Sequence, residues 1–169
     1  MSDVLLEQLI RDFVSLRKRV VDLETAGVRS YGCAFLAYNS VTDTNVTGDN
    51  VEVTVDFDTE VFDVGNDFAA DVFTAPATGT YWLYAQVLFA GLALTHTLID
   101  SRLATSNRNY YYYESVAQVA YYPMVIAALC DMDVTDTARI MVNVSGGARA
   151  VDIYGAGDLH TYFGGYRVS

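Results

Sequence analysis

The stretch Val72–Val87, VFTAPATGTYWLYAQV, constrains the fold of this chain more than any other. Proline fixes its own φ and glycine tolerates the positive φ of tight turns, so Pro76 and Gly79 predict a turn between two strands. The second strand begins near Thr80 and is apolar or aromatic almost without interruption as far as Phe89. A strand of this kind is buried on both of its faces. In a small two-sheet sandwich only one face of a strand meets the other sheet. The second face therefore predicts burial against another subunit.

Composition places these strands in a single all-β domain. The chain has 169 residues, of which 52% are hydrophobic, and it contains 13 tyrosines but only 2 prolines. Such a composition favours strands, and few runs with helical periodicity follow residue 27. Asn45–Asp49 is predicted to be a turn-rich connection, and Val51–Phe57 alternates apolar and polar residues as a half-buried strand does. The other predicted strands are Tyr31–Tyr38, Phe68–Thr74, Thr80–Ala90, Thr95–Ala104, Val125–Asp131, Ala138–Val144, Ala150–Tyr154 and Thr161–Val168.

Residues 4–26 show a different periodicity, because their apolar residues recur at alternating spacings of three and four. This pattern predicts a coiled coil that ends at Gly27. The alternative is an amphipathic helix that packs on its own domain. The predicted division is an N-terminal stalk at 1–27 and a head domain at 28–169. The seam residues of the stalk are Leu6, Phe13 and Val20 at heptad position a, and Leu9, Leu16 and Leu23 at position d.

Motifs of the head domain occur in the order and spacing of one known family. They are the segment FDTEVFDVGNDF at Phe57–Phe68, the turn motif Phe-Thr-x-Pro-x-x-Gly-x-Tyr that begins at Phe73, and the closing YFGGYRVS. The chain from Tyr31 to Ser169 resembles the globular head domain of the complement first component's q subcomponent, a relative of the tumour necrosis factor jelly roll. The resemblance implies an antiparallel jelly-roll sandwich that packs as a tight homotrimer about a threefold axis. It also implies that the head core or subunit interface contains Phe73, Tyr81, Leu83, Phe163 and Tyr166.

The same resemblance bears on the two cysteines, Cys33 and Cys130. It puts their strands in one sheet but not beside each other, so it implies two buried free thiols and no disulfide. Free thiols fit assembly in a reducing cytoplasm.

No residue pattern in the sequence indicates catalysis. His96 and His160 are the only histidines, and neither has Cys, Asp or Glu at the spacing of a transition-metal site, so both are interpreted as structural. The sequence contains no phosphate-binding loop and no nucleophile elbow. We therefore predict a protein that is not an enzyme and needs no cofactor. For the carboxylates of Asp131, Asp133 and Asp136, a solvated acidic turn is the preferred interpretation and a calcium site is the alternative.

The formal net charge of −11 narrows the class of partners. Nucleic-acid backbones and anionic membrane surfaces would both repel such a chain. The acidic residues are mostly Asp, and a single lysine, Lys18, stands against nine arginines. This composition resembles that of proteins from salt-loving organisms, where a Debye length of about 3 Å at 1 M salt screens the repulsion between acidic subunits. The alternative is an ordinary acidic surface.

The run Tyr110, Tyr111, Tyr112 and Tyr113 is the most suggestive surface feature in the sequence. Tyrosine offers a flat apolar face and a hydroxyl group at low entropic cost, which suits the recognition of sugars or protein surfaces. The alternative is that these tyrosines pack between subunits.

These features together predict a homotrimer in which a coiled-coil stalk carries jelly-roll heads. The sequence shows no secretory signal and no run of membrane-spanning length. We therefore expect a virion structural protein, such as a tail fibre, a spike or a capsid decoration, that is assembled in the host cytoplasm and released by lysis. Its expected partners are other virion proteins at the stalk and a host glycan or protein at the head. The alternative is a secreted or surface adhesion or ligand protein of the same jelly-roll family.

Overall fold

The computed structural model describes residues 7–8, 11–22, 32–116 and 118–169. The chain divides into two compact units, Met1–Gly32 and Cys33–Ser169. The predicted boundary between residues 27 and 28 lies outside the described residues. Of the helices in the described part of the chain, none has the length and apolar character needed to cross a membrane.

The described part of the first unit is helical, at residues 7–8 and 11–22. The predicted seam residues Phe13, Leu16 and Val20 expose 68%, 60% and 46% of their surface in the single chain. The helix agrees with the heptad pattern, and the exposed apolar residues leave the seam open for a partner. The coiled coil itself stays a prediction. Leu6, Leu9, Leu23 and Gly27 lie outside the described residues.

The second unit is built from strands that pair only in the antiparallel sense within the described residues. They are β1 (Ala34–Tyr38), β2 (Asp43–Thr47), β3 (Val53–Thr54), β4 (Thr59–Val64), β5 (Phe68–Ala69), β6 (Val72–Thr74), β7 (Gly79–Leu92), β8 (Leu98–Thr105), β9 (Asn109–Ser115), β10 (Val119–Met132), β11 (Thr137–Ser145), β12 (Val151–Ile153) and β13 (Tyr162–Arg167).

These strands form two sheets, which we call the front and back sheets. In the front sheet, β10 pairs with one edge of β7, while β13 and β12 pair in succession with its other edge. Strand β1 lies between β13 and β4, and β2 pairs with β12. The back sheet has the order β5-β6-β11-β8-β9, and β3 also pairs with β11. Spatial neighbours are mostly distant in sequence, which is the connectivity of a jelly-roll sandwich.

One core fills the space between the sheets, because alternate residues of each strand point inward. Its centre is an aromatic cluster around Phe35, a residue of β1 with 1% of its surface exposed. The ring of Phe35 stacks on those of Phe68 and Phe73, with centroids 5.0 and 4.8 Å away, and meets Phe163 edge-on at 5.0 Å. The core therefore ties β1 and β13 of the front sheet to β5 and β6 of the back sheet.

The turn predicted at Pro76 and Gly79 connects β6 to β7. The hydroxyl of Tyr81 donates a hydrogen bond to the carbonyl of Ala77, 2.5 Å away, and so fastens this turn to the core. A Cβ atom at Gly79 would collide with the carbonyl oxygen of Ser169, so no other residue fits there without a shift of the chain end. The segment Val72–Val87 therefore contains the turn, contributes Tyr81 to the core and packs against the C-terminal residue Ser169.

Several observed strand boundaries differ from the predicted ones. The predicted connection Asn45–Asp49 overlaps β2, in which the backbone N–H of Asn45 donates to Oδ1 of Asp152 on β12 at 2.7 Å. The predicted strand Phe68–Thr74 is two short strands, because Ala70 and Asp71 adopt left-handed φ values of 49° and 65° and form a tight hairpin. Long-range pairing with β12 sets the first difference, whereas a local hairpin around Ala70 and Asp71 sets the second.

His96 is buried and joins two loops. The N–H of Ala93 donates to its Nδ1 at 2.9 Å, and its Nε2 lies 3.1 Å from the carbonyl oxygen of Ala148. Because Nδ1 accepts a hydrogen bond, Nε2 carries the proton and donates it to Ala148. Both ring nitrogens of His96 are therefore engaged with backbone groups, and the residue has a structural role.

The His96→Ala variant is expected to lose about 2 to 4 kcal/mol of unfolding free energy, because two backbone groups lose their partner and a cavity opens. Chemical denaturation followed by fluorescence measures this loss. His160→Ala is the matched control, since His160 is only partly buried, and its expected cost is under about 1 kcal/mol. Equal losses in the two variants would contradict the role assigned to His96.

Candidate functional site

The outer face of the front sheet is aromatic and uncharged over its centre. The strand register places residues of β4, β1, β13, β7 and β10 side by side in rows across this surface, which we call the aromatic face. Its first row is Val64, Ala34, Tyr166, Trp82 and Leu129; its second row is Phe62, Leu36, Gly164, Tyr84 and Ala127; its third row is Thr59, Tyr38, Tyr162, Gln86 and Val125.

Large apolar side chains of the aromatic face are exposed in the single chain. Leu129 and Val125 expose 57% and 56% of their surface, and Tyr166 and Phe62 expose 49% and 46%. A contiguous exposed apolar patch marks a site of protein association more often than an isolated apolar residue does. None of the rows contains an ionisable acid or base other than the tyrosine hydroxyls. This surface can therefore be buried without removing an unpaired charged group from water.

Tyr84 lies near the middle of the aromatic face. Its ring meets that of Tyr162 edge-on, with centroids 6.2 Å apart. A Cβ atom at Gly164 would lie 2.8 Å from the Tyr84 hydroxyl, so the glycine leaves the room that this hydroxyl occupies. Burial, together with the neighbouring hydroxyls of Tyr162 and Tyr166, raises the pKa of Tyr84. The phenol is therefore neutral at physiological pH, as burial in an interface requires.

The residues that the resemblance assigned to the core or the interface separate into two groups. Phe73, Tyr81, Leu83 and Phe163 are fully buried inside the single chain. Tyr166 is half-exposed and stands in the first row of the aromatic face.

The run Tyr110–Tyr113 lies on β9, the edge strand of the back sheet, and its members alternate in direction. Tyr110 and Tyr112 are partly buried and pack against the core, whereas Tyr111 and Tyr113 expose 48% and 57% of their surface. The exposed rings stack on each other, with centroids 5.5 Å apart and planes inclined by 8°. Only half of the run is therefore available on the outer surface.

The inward tyrosines of β9 connect the two sheets. The hydroxyl of Tyr112 donates to Oε2 of Glu114 at 3.1 Å and lies 3.5 Å from the hydroxyl of Tyr122 on β10. The bond to Tyr122, followed by burial, raises the pKa of Tyr112. Burial also raises the pKa of Tyr110 to about 12. Both phenols therefore remain neutral and serve the packing between the sheets.

The carboxylates considered for calcium have other contacts in the structure. Oδ2 of Asp131 lies 2.6 Å from Nη2 of Arg108. Oδ2 of Asp136 accepts hydrogen bonds from Nδ2 of Asn107 and from the N–H of Asp133, at 2.8 and 2.7 Å. Across residues 7–8, 11–22, 32–116 and 118–169, the structure places no group of three or more His, Cys, Asp or Glu side chains so that it could hold a metal ion.

Both cysteines are buried and free. Burial raises the pKa of Cys33 to about 12 and that of Cys130 to about 11. A thiol must ionise to act as a nucleophile, so neither residue is activated at neutral pH.

Comparison with solved structures identifies the fold of the second unit. The globular domain of the zebrafish complement 1qA protein is similar, with a TM-score of 0.57 and 13% sequence identity over 81% of this chain and 98% of that chain. Murine APRIL, in a crystal structure at pH 8.5, gives a TM-score of 0.55 and 18% identity over 80% of this chain and 98% of that chain. No protein-family model and no curated protein sequence matches the chain. The chain has the jelly-roll fold of complement C1q heads and the tumour necrosis factor family, as its motifs predicted.

The residue pattern indicated the aromatic face only on β7, and the family resemblance added Tyr166 of β13 as a core or interface residue. The second covered face inferred for β7 corresponds to Trp82, Tyr84 and Gln86. The members contributed by β1, β4 and β10 were missed, because their place in the rows depends on a register that one sequence does not reveal. The sequence did contain one indication for β1: Leu36 and Tyr38 alternate with the inward residues of this predicted strand, so they had to lie on its outer face.

Proposed function

We propose that this protein is a non-enzymatic homotrimer in which the aromatic face of each jelly-roll head packs against the other two heads. The observation that carries the proposal is the uncharged character of this face in a chain of net charge −11. An acidic protein that needed only to stay soluble would have no reason to keep its acids away from one sheet surface. Among the residues that the structure describes, carboxylates occur at the borders of this face, at Asp131 on β10, at Asp152 on β12 and at Glu60 on the edge strand β4.

A threefold arrangement follows from the sequence motifs, whose resemblance implies a tight trimer, and from the stalk. The predicted seam contains Phe13, Leu16 and Val20, which are exposed on the helix of a single chain. Three heptads are marginal as an isolated coiled coil, but a trimeric head holds the three helices at high effective concentration. Salt that screens the acidic surfaces would favour the trimer further, as expected for a halophilic source.

We assign the trimer to a virus particle, as a tail fibre, a spike or a capsid decoration that is assembled in the host cytoplasm. The support is the layout: a helical unit suited to docking on other virion proteins, and a head whose main exposed surface serves assembly. Three heads on one axis would bind a host glycan or protein through avidity. The second candidate is a secreted or surface adhesion or ligand protein, which the likeness to complement 1qA and APRIL favours.

Two measurements test this proposal. Light scattering at high salt is expected to give the mass of three chains, and a monomeric or dimeric mass would refute the trimer. Antibody-gold labelling of particles purified from lysates of the source is expected to mark a tail tip, a spike or the shell. Label on cell surfaces and none on particles would refute the virion assignment and leave the adhesion or ligand protein.

The Leu16→Asp variant is expected to lose its coiled coil and keep its trimeric head, because the change puts three carboxylates into the seam of the stalk only. Circular dichroism would show reduced helical signal, and light scattering an unchanged mass of three chains. Lys18→Asp is the control: Lys18 lies outside the seam positions, so the helical signal should be retained. A monomeric Leu16→Asp variant would mean that the stalk holds the trimer together.

A further inference from the structure

We propose that a groove on the outer face of the back sheet binds a carboxylate-bearing sugar, such as a hexuronate or sialate unit of an acidic glycan. The groove has a volume of about 270 Å³ and is lined by residues of β6, β8, β9 and β11. It lies within a single chain, so the inference holds whether or not the heads associate. In a trimer formed through the front sheet, the groove faces outward, because the outer faces of a two-sheet sandwich point in opposite directions.

The groove exists because a small residue lies between two long ones. Ala104 on β8 pairs with Arg139 on β11 and with Asn109 on β9. In the next row along these strands, Arg102 pairs with Met141. Val72 closes the far side. The result is an apolar floor of Ala104, Val72 and Met141 between polar side chains.

Two of the polar side chains at the groove are free to bind. Arg139 is exposed, and neither its guanidinium nor the amide of Asn109 makes a hydrogen bond or an ion pair with any residue that the structure describes. A guanidinium binds a carboxylate through two parallel N–H···O bonds, and an amide both donates to and accepts from hydroxyl groups. A sugar acid supplies the carboxylate, the hydroxyls and an apolar C–H face for the floor.

The second arginine, Arg102, is held as a rigid wall of the groove. Its Nη2 lies 2.6 Å from Oε2 of Glu52, and its guanidinium carbon lies 6.0 Å from the ring centroid of Tyr111, on which Tyr113 stacks. Its Nε is buried without a hydrogen-bond partner. Glu52 balances the charge of Arg102, so the uncompensated positive charge is that of Arg139. Of the exposed tyrosines on β9, Tyr111 is the one that contacts Arg102.

Charge sets this groove apart from two other grooves of the head. No carboxylate lines it, whereas a groove of about 370 Å³ is lined by Asp56, Asp58, Glu60 and Asp71, and a third includes Asp131 and Asp133. In a chain of net charge −11, most of the surface repels an anion. An anionic ligand therefore finds its complement at Arg139. A neutral sugar has no carboxylate to bind Arg139. A simple carboxylate such as acetate has no sugar ring to pack on the apolar floor.

The test is an NMR saturation-transfer titration of the full chain with glucuronic acid and with N-acetylneuraminic acid, at low salt. Glucose and acetate serve as the neutral and the ring-free probes. Binding of either sugar acid, with much weaker binding of glucose and acetate, is expected, and the stronger of the two acids identifies the source of the glycan. Equal affinities for acetate and the sugar acids would overturn the proposal, as would no binding of either acid at millimolar concentration.

Variants then locate the site. Arg139→Gln is expected to weaken binding of the sugar acid at least about tenfold, because a charged two-point contact is lost. Arg149→Gln removes the same charge from an exposed arginine outside the groove and is expected to change the affinity less than about twofold. Equal weakening in both variants would show general charge attraction and refute the groove. Light scattering of the same protein at high salt reports the trimer separately, so failure of either proposal is recognised by itself.

Discussion

Leu129→Asp is expected to convert the head from a trimer to a monomer when it is made in the Leu16→Asp background, in which the stalk cannot hold the chains together. Leu129 ends the first row of the aromatic face and exposes 57% of its surface in the single chain, so the aspartate is solvated in the monomer. In the trimer it would be buried among aromatic residues, at a cost of several kcal/mol per carboxylate. A penalty of about 4 kcal/mol weakens association about a thousandfold.

Sedimentation velocity over a range of protein concentrations measures this shift. The matched control is Tyr113→Asp in the same background, because Tyr113 also exposes 57% of its surface but lies on the opposite sheet. The control is expected to remain trimeric. A trimeric Leu129→Asp variant, or a monomeric Tyr113→Asp variant, would show that the aromatic face is not the subunit interface.

The sequence predicted the fold where local chemistry and long-range packing agree. Val72–Val87 contains its own turn residues, and the observed strands β6 and β7 end and begin within a residue of the predicted positions at Thr74 and Thr80. The closing strand was predicted at Thr161–Val168 and is observed as β13, Tyr162–Arg167. The structure explains the glycine at position 165, because a Cβ atom there would collide with the side chain of Leu83 and lie 2.9 Å from the carbonyl oxygen of Trp82.

Strands were predicted less well where their conformation depends on pairing with a neighbouring strand and not on their own sequence. Strand β4 at Thr59–Val64 was not predicted, because its residues read as a mixed acidic and apolar segment. Its conformation is set by pairing with β1 along one edge only. Similarly, β9 was seen as a tyrosine surface and not as an edge strand. Oδ2 of Asp63 on β4 accepts the N–H of Phe68 at 2.9 Å, so the connection that follows β4 also holds this strand.

The two candidate sites differ in how far sequence reasoning can reach. The sequence of β7 alone indicates the aromatic face, since Trp82 and Tyr84 alternate with core residues and predict that the outer side of this strand is also buried. No segment of the sequence indicates the groove at Arg139, because Arg139, Ala104 and Asn109 come from three strands and none of them stands out within its own strand. Sites made by side-by-side residues of different strands depend on register, and register depends on every turn between them.

Phe35→Ala is expected to lower the unfolding free energy of the head by about 4 to 5 kcal/mol, which is a large part of the stability of an ordinary domain. The loss combines the transfer of a fully buried ring, the cavity it leaves and the stacking with Phe68 and Phe73. Chemical denaturation should be measured in the monomeric Leu16→Asp, Leu129→Asp background, so that folding is separated from assembly.

Phe62→Ala provides the control that distinguishes core from interface. Phe62 is 46% exposed on the aromatic face, so its removal is expected to cost the monomer less than about 1 kcal/mol, yet to weaken the trimer when Leu129 is intact. Phe35→Ala should show the opposite order, with a large loss in the monomer. If both variants destabilised the monomer equally, the aromatic face would be part of the folding core of a single head and the proposed trimer interface would have to be placed elsewhere.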